Sequence, residues 1–123
     1  MDTVLTILAV DNQRAVTTCL RYVFAGPRYE VTTAESGQAA LAEISARTDL
    51  FDVIIVDYKM PGLTGLELVD AIKRRGAGGK IIVISAHLSS EVRESFERLA
   101  VHAVFPKPFD IAQLRSAVDR IAA

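Results

Sequence analysis

Phe51-Asp52-Val53-Ile54-Ile55-Val56-Asp57-Tyr58-Lys59-Met60-Pro61-Gly62 decides how this chain is read. The β-branched run Val53 to Val56 is short, unbroken and bounded by polar residues, as in a strand buried on both faces. Such strands sit inside parallel sheets, and in open α/β sheets ligands bind just beyond the strands' carboxyl ends. Asp57 stands at that place, and Pro61-Gly62 marks the loop that follows.

The same alternation extends in both directions. Upstream, Val4 to Val10 is an apolar run interrupted only by Thr6, and it stops at Asp11-Asn12. Arg14 to Phe24 then carries Val16, Cys19, Leu20, Val23 and Phe24 at helical spacing; Asp11 or Asn12 is placed to cap this helix and Gly26-Pro27 to end it. Tyr29 to Thr33 reads as a second strand. Ser36 caps a helix from Gly37 to Ala46 with Ala39, Ala40, Leu41 and Ile44 inward. Downstream of the opening stretch, Thr64 and Glu67 form a capping box on a helix carrying Leu66, Val69, Ala71 and Ile72. Lys73-Arg74-Arg75 puts positive charge at its C-terminal end, where the helix dipole favours it. Gly76-Ala77-Gly78-Gly79-Lys80 lacks the spacing of a phosphate-binding loop and precedes a strand, so it reads as a turn. Ile81 to Ile84 is a fourth buried strand. Ser89 or Ser90 caps a helix with Val92, Phe96, Leu99 and Ala100 on one face. Ala103 to Phe105 is a short fifth strand, stopped by Pro106-Lys107-Pro108. Asp110 caps the last helix, striped by Ile111, Leu114, Val118 and Ile121.

Five β–α units in strict alternation, joined by short connections, give a doubly wound parallel sheet with helices on both faces, in one α/β domain over residues 1–123. Half the 123 residues are hydrophobic, which argues against disorder. The net charge of −1 implies no broad basic surface and disfavours nucleic-acid binding. No apolar run reaches membrane-spanning length and no signal-peptide pattern opens the chain, so no membrane association is expected. The lone Cys19 has no internal disulfide partner; it reads as buried filler in a reducing, cytoplasmic setting. His87 and His102 are too isolated to build a transition-metal site.

Collecting the residues just past each strand brings Asp11, Asn12, Asp57, Ser85 and Lys107 to one sheet edge. Two carboxylates and an amide suit a hard cation such as Mg²⁺. A carboxylate can also act as a nucleophile and form an aspartyl-phosphate, whose oxygens an ammonium and a hydroxyl would neutralise. His87, two past Ser85, is placed at the cleft mouth.

Taken together, Asp11, the Asp57-Tyr58-Lys59-Met60-Pro61-Gly62 loop continuing to Gly65, Ser85-Ala86, and Lys107-Pro108-Phe109 resemble the receiver domain of bacterial response regulators, of the CheY-like type. The resemblance spans the whole chain. It implies a flavodoxin-like (βα)5 fold with strand order 2-1-3-4-5, and a signalling module rather than a conventional enzyme. It implies Asp57 as phospho-acceptor from a sensor histidine kinase or histidine phosphotransfer protein. Mg²⁺ would be held by Asp11, Asn12, Asp57 and the Lys59 backbone carbonyl. Ser85 would follow the phosphoryl group, Ala86 leave room for it, and Lys107 pair with its oxygens. A cis peptide is implied at Lys107–Pro108. The output would be a changed affinity of the face formed by the fourth helix, fifth strand and fifth helix, for a downstream protein or a second copy. Two positions depart from the family pattern. Asn12 stands where a second acid is usual, removing one negative charge from the metal site. Val104, beside Phe105, stands where a switch aromatic is usual. These departures define an alternative, a pseudo-receiver acting as a docking scaffold; a small aspartyl-nucleophile hydrolase is a third reading, opposed by Lys59 where such enzymes typically need a second acid. With no output domain after Ala123, the sequence fits either a stand-alone regulator or one domain of a longer chain.

Overall fold

The computed structural model describes residues 4–76 and 79–122. Strands and helices alternate as β1 (Leu5–Val10), α1 (Arg14–Val23), β2 (Tyr29–Ala34), α2 (Gly37–Ser45), β3 (Val53–Asp57), α3 (Gly65–Arg74), β4 (Lys80–Ser85), α4 (Ser90–Arg98), β5 (Ala103–Pro106) and α5 (Ile111–Ala122). All strands are parallel, in the order β2-β1-β3-β4-β5. The expected fold class and strand order are thus present.

Strand period explains the two layers. Leu8, Val10, Ile54, Val56, Ile81 and Val83 face one side and pack with Ala40, Leu68, Val69, Ile72 and Phe96 from α2, α3 and α4. Their alternating neighbours Ile7, Ala9, Val53, Ile55, Ile82 and Ile84 face the other side and pack with Leu20, Val23, Leu114 and Val118 from α1 and α5. Each fully buried aliphatic side chain contributes about 1.5–3 kcal/mol. The three central strands, apolar on both faces, therefore form the stiffest part of the molecule.

Caps follow local chemistry. Ser36 accepts the Ala39 N–H, Ser89 accepts the Val92 N–H, and Asp110 accepts the Gln113 N–H. Thr64 and Glu67 complete their capping box. Four local expectations need correction. The first helix is capped by neither Asp11 nor Asn12: its N-cap is Gln13, with no side-chain cap bond, and Asp11 lies two residues ahead of it, bonded to the Gln13 N–H and to Lys107. In α2, Ala39 is exposed and Ala40 carries the contact. Ile111 is 52% exposed at the start of α5, before the helix settles onto the sheet at Leu114; Ala100, at φ 58, lies past the end of α4. Cys19 is half-buried against the α1–α5 layer, as filler would be. The turn expected over 76–80 includes residues 77 and 78, which lie outside the described residues; Gly76 and Gly79 on either side have positive φ.

Candidate functional site

Parallel register carries the strand ends to a common edge: Val10 pairs with Val56, Asp57 with Ile84, and Ser85 with Pro106. The ladder runs one residue further at three points. Asp11 N–H donates to Ala34 O (3.1 Å), Tyr58 N–H to Ile84 O (3.3 Å) and Lys107 N–H to Ser85 O (2.9 Å). The backbone of each site residue is thus fixed by a neighbouring strand before its side chain makes any contact.

Asp11, Asp57 and Ser85 are the buried polar residues at this edge. Buried polar groups need partners, and buried charges need them most. Lys107 supplies them: its Nζ lies 2.7 Å from Asp11 Oδ2, 3.1 Å from Asp57 Oδ1 and 3.3 Å from Gln13 Oε1. Asp11 Oδ1 accepts the Gln13 backbone N–H at 2.8 Å, and Ser85 Oγ accepts the His87 backbone N–H at 3.0 Å. Among the described residues no buried side-chain nitrogen or oxygen lacks a partner. Burial and the neighbouring Asp11 carboxylate raise the Asp57 carboxyl above its ordinary value, against the Lys107 ammonium and the Tyr58 backbone N–H, which hold it down.

The residues open onto a cleft of about 140 Å³ lined by Asn12, Gln13, Asp57, Lys59, Ala86, His87 and Lys107. At roughly 30 Å³ per water, it holds a small tetrahedral oxyanion with a few waters. Asp11 lies beneath, fully buried. Of the residues singled out in the sequence, Ser85, buried beside Asp57's strand, and Val104 and Phe105 do not line this cleft. Val104 packs into the α2–α3–α4 layer, which also holds Tyr58 and Phe96 edge-to-face at 5.7 Å; Phe105 packs into the opposite layer. The Lys107–Pro108 peptide is cis, and Pro108 lines a separate apolar groove with Cys19, Phe109 and Ile111. Gln13 was not singled out: an exposed amide at a helix start carries no signal that Lys107, distant in sequence, will reach it.

The loop after Asp57 is shaped by glycines. Gly65 N–H donates to Tyr58 O at 2.8 Å, and a Cβ at Gly65 would collide with the Asp57 carbonyl oxygen. Gly62 turns the chain at φ 77, a conformation that disfavours side chains.

The donor set around the cleft fits a hard divalent cation. The Asp11 and Asp57 carboxylates, the Asn12 amide oxygen and the Lys59 backbone carbonyl are all oxygen donors, few in number, as suits an ion that keeps several of its waters. Among the described residues no group of three or more His, Cys, Asp or Glu gathers to form a denser site. Any cation must compete with Lys107 for both carboxylates.

Residues 7–119 match the response regulator receiver domain family. The chain belongs to that family. Receivers are the signalling modules of two-component systems, and this one is 32% identical over 114 residues to the DNA-binding transcriptional regulator NtrC of Salmonella typhimurium. That match covers 93% of this chain and 24% of NtrC. It is 36% identical over 107 residues to a response regulator receiver protein of Anaeromyxobacter, covering 87% of this chain and 44% of the relative. Sporulation initiation phosphotransferase F of Bacillus subtilis is 29% identical over 114 residues, covering 93% of this chain and 90% of the relative. The receiver therefore spans less than half the length of the first two relatives and nearly all of the third. Among solved structures, the chemotaxis protein CheY4 of Vibrio cholerae superposes with a TM-score of 0.87 at 28% identity, covering 97% of this chain and 99% of CheY4. Among the described residues no helix is long and apolar enough to cross a membrane.

Proposed function

We propose that this receiver takes a phosphoryl group onto Asp57 from a sensor histidine kinase or a histidine phosphotransfer protein. The observation that carries the reading is a buried carboxylate at the end of the central strand, open to a cleft that fits a phosphoryl group, with an ammonium 3.1 Å away. A carboxylate oxygen of Asp57 attacks phosphorus; the P–O bond forms as the P–N bond to the donor imidazole breaks, and the nitrogen keeps the electron pair. Lys107 and the Ser85 hydroxyl then pair with the phosphoryl oxygens, and Ala86, a small residue at the mouth, leaves them room. Mg²⁺, held by Asp11, Asp57, the Asn12 amide and the Lys59 carbonyl, supplies further positive charge to those oxygens when bound. His87 lines the mouth through which water reaches the acyl phosphate. The state is read out by the α4–β5–α5 face, which changes its affinity for a downstream protein or a second copy. We take residues 1–123 as one receiver unit working in the cytoplasm, where Cys19 remains a thiol.

One observation favours a second reading. Asn12 lines the cleft as an amide rather than an acid, which weakens metal binding and fits a scaffold that docks without switching. Mass spectrometry after incubation with Mg²⁺ and a small phosphodonor separates the two. A single phosphoryl adduct on Asp57 is expected; its absence would favour the scaffold, and rapid multiple turnover a hydrolase.

A further inference from the structure

Lysine has three N–H donors. Around Lys107 Nζ stand three oxygens, from Asp11 at 2.7 Å, Asp57 at 3.1 Å and Gln13 at 3.3 Å. The ammonium is fully surrounded before any phosphoryl group arrives, so pairing with one requires that an acceptor be given up. The three are unequal. Asp11 and Asp57 offer carboxylates, and a carboxylate is a stronger acceptor for an ammonium than an amide oxygen. Gln13 is neutral, the most distant, and the only one of the three that is exposed.

A second observation concerns why Gln13 is free for this contact. It occupies the N-cap of α1 in extended backbone (φ −95, ψ 111), a position where a short Ser, Thr, Asp or Asn side chain ordinarily bonds to the first turn. The Gln13 side chain makes no such bond and turns to the cleft instead. Its backbone N–H meanwhile donates to Asp11 Oδ1. Side chain and main chain thus hold opposite members of the Lys107–Asp11 pair, and a side-chain substitution leaves the main-chain bond in place.

We propose that Gln13 is a positioning residue for Lys107: its carboxamide oxygen fills the third acceptor place in the unphosphorylated receiver and yields that place to a phosphoryl oxygen on Asp57. The inference rests on the reading of Asp57 as phospho-acceptor and names a regulator of that site. Gln13 acts as a brake of fixed strength, setting how readily the ammonium turns to an incoming group.

The test uses the full chain, with saturating Mg²⁺ and beryllofluoride as a phosphoryl mimic for the binding measurement and without metal for the mimic-free one. Gln13→Met keeps length and removes the acceptor; Gln13→Asn keeps the amide and draws it out of reach. Both should bind the mimic more tightly, by about threefold to tenfold, the worth of one long and exposed hydrogen bond. In both, the Lys107 ammonium protons of the mimic-free protein should exchange faster with water, as read by ¹⁵N NMR. A merely structural role for Gln13 would shift the melting temperature and leave these two quantities unlinked. Affinity unchanged or weakened in both variants, or tightened without faster ammonium exchange, overturns the role of Gln13 alone. A wild-type protein that takes up no mimic overturns the reading of Asp57, and the exchange with it.

Discussion

Lys107 Nζ stands closer to Asp11, at 2.7 Å, than to Asp57, at 3.1 Å. The ammonium is weighted toward the deeper carboxylate, the one fully withdrawn from water, and away from the one facing the cleft. It thereby neutralises the less accessible charge and leaves Asp57 the more available for chemistry.

Lys107→Ala removes the counter-charge of two buried carboxylates, a loss of about 1–3 kcal/mol in a chain that still folds. Mg²⁺ should recover part of it. Urea unfolding with and without the metal checks this. Phosphorylation should no longer shift the amide signals of α4 and α5, because the group proposed to link the phosphoryl oxygens to β5 would be gone.

Asp57→Asn should take no label, since an amide is not a competent nucleophile there. It should also alter stability with a definite sign. The folded-state carboxyl is raised above the unfolded one, so the folded receiver binds more protons. Stability from this group therefore falls as pH rises from the ordinary carboxylate value through the folded one. Removing it should make the variant more stable than wild type near neutrality, with the gap closing on acidification. Thermal melts between about pH 4 and 7 read both features.

Asn12→Asp changes the formal charge of the cleft groups from −1 (Asp11 and Asp57 against Lys107) to −2. Mg²⁺ affinity should rise by roughly tenfold, about 1.4 kcal/mol. Without metal the added carboxylate should lower the melting temperature. Melts across a Mg²⁺ titration show the two opposite effects, and equal metal dependence in the two proteins would remove Asn12 from the metal site.

Gly65→Ala and Gly37→Ala both meet crowded space, with different outcomes. At Gly65 the obstacle is the backbone of Asp57 and Tyr58; at Gly37 it is Leu63, whose Cδ2 can rotate away but whose Cβ moves only with its backbone. Each should cost about 1–3 kcal/mol; the first should also slow phosphorylation by displacing Asp57, while the second, which displaces Leu63 instead, should leave the rate near wild type. Unfolding curves paired with labelling rates distinguish them.

His102 Nδ1 accepts the Ile81 backbone N–H at 3.2 Å, an acceptor that exists only in the neutral ring. Partial burial, then Lys80 and Lys73, push its proton affinity below the ordinary value. The unfolded chain thus binds the proton more tightly, and stability contributed here is lost as pH falls from about 6.5 through the lower folded value. His102→Asn should flatten that part of the pH–stability curve.

The fold was legible because β1, β3 and β4 are largely apolar on both faces and so read as near-continuous runs, each giving way to a polar residue at its carboxyl end. That same punctuation exposed Asp11, Asp57 and Ser85, and Pro106-Lys107-Pro108 exposed Lys107. What local pattern does not encode is a contact across many residues of chain. Lys107 reaches Asp11 and Gln13 from 96 and 94 residues away, pairing with the first and turning the second to the cleft. Ala39 and Ile111 lie at the margins of their helical stripes, where a small rotation decides between core and solvent.

The strands that carry the site differ in how firmly they are seated. β3 is buried along its whole length and clasped by strands on both sides, while β5 is only partly buried and has one neighbour. The anionic half of the cleft is therefore mounted on a rigid frame and its bridging cation on a compliant one. A pull on the ammonium will displace the sheet margin before it displaces the carboxylates. Amide hydrogen exchange should record that asymmetry directly: β3 protons released only by global unfolding, β5 protons by local opening, with phosphorylation altering the second rate and not the first.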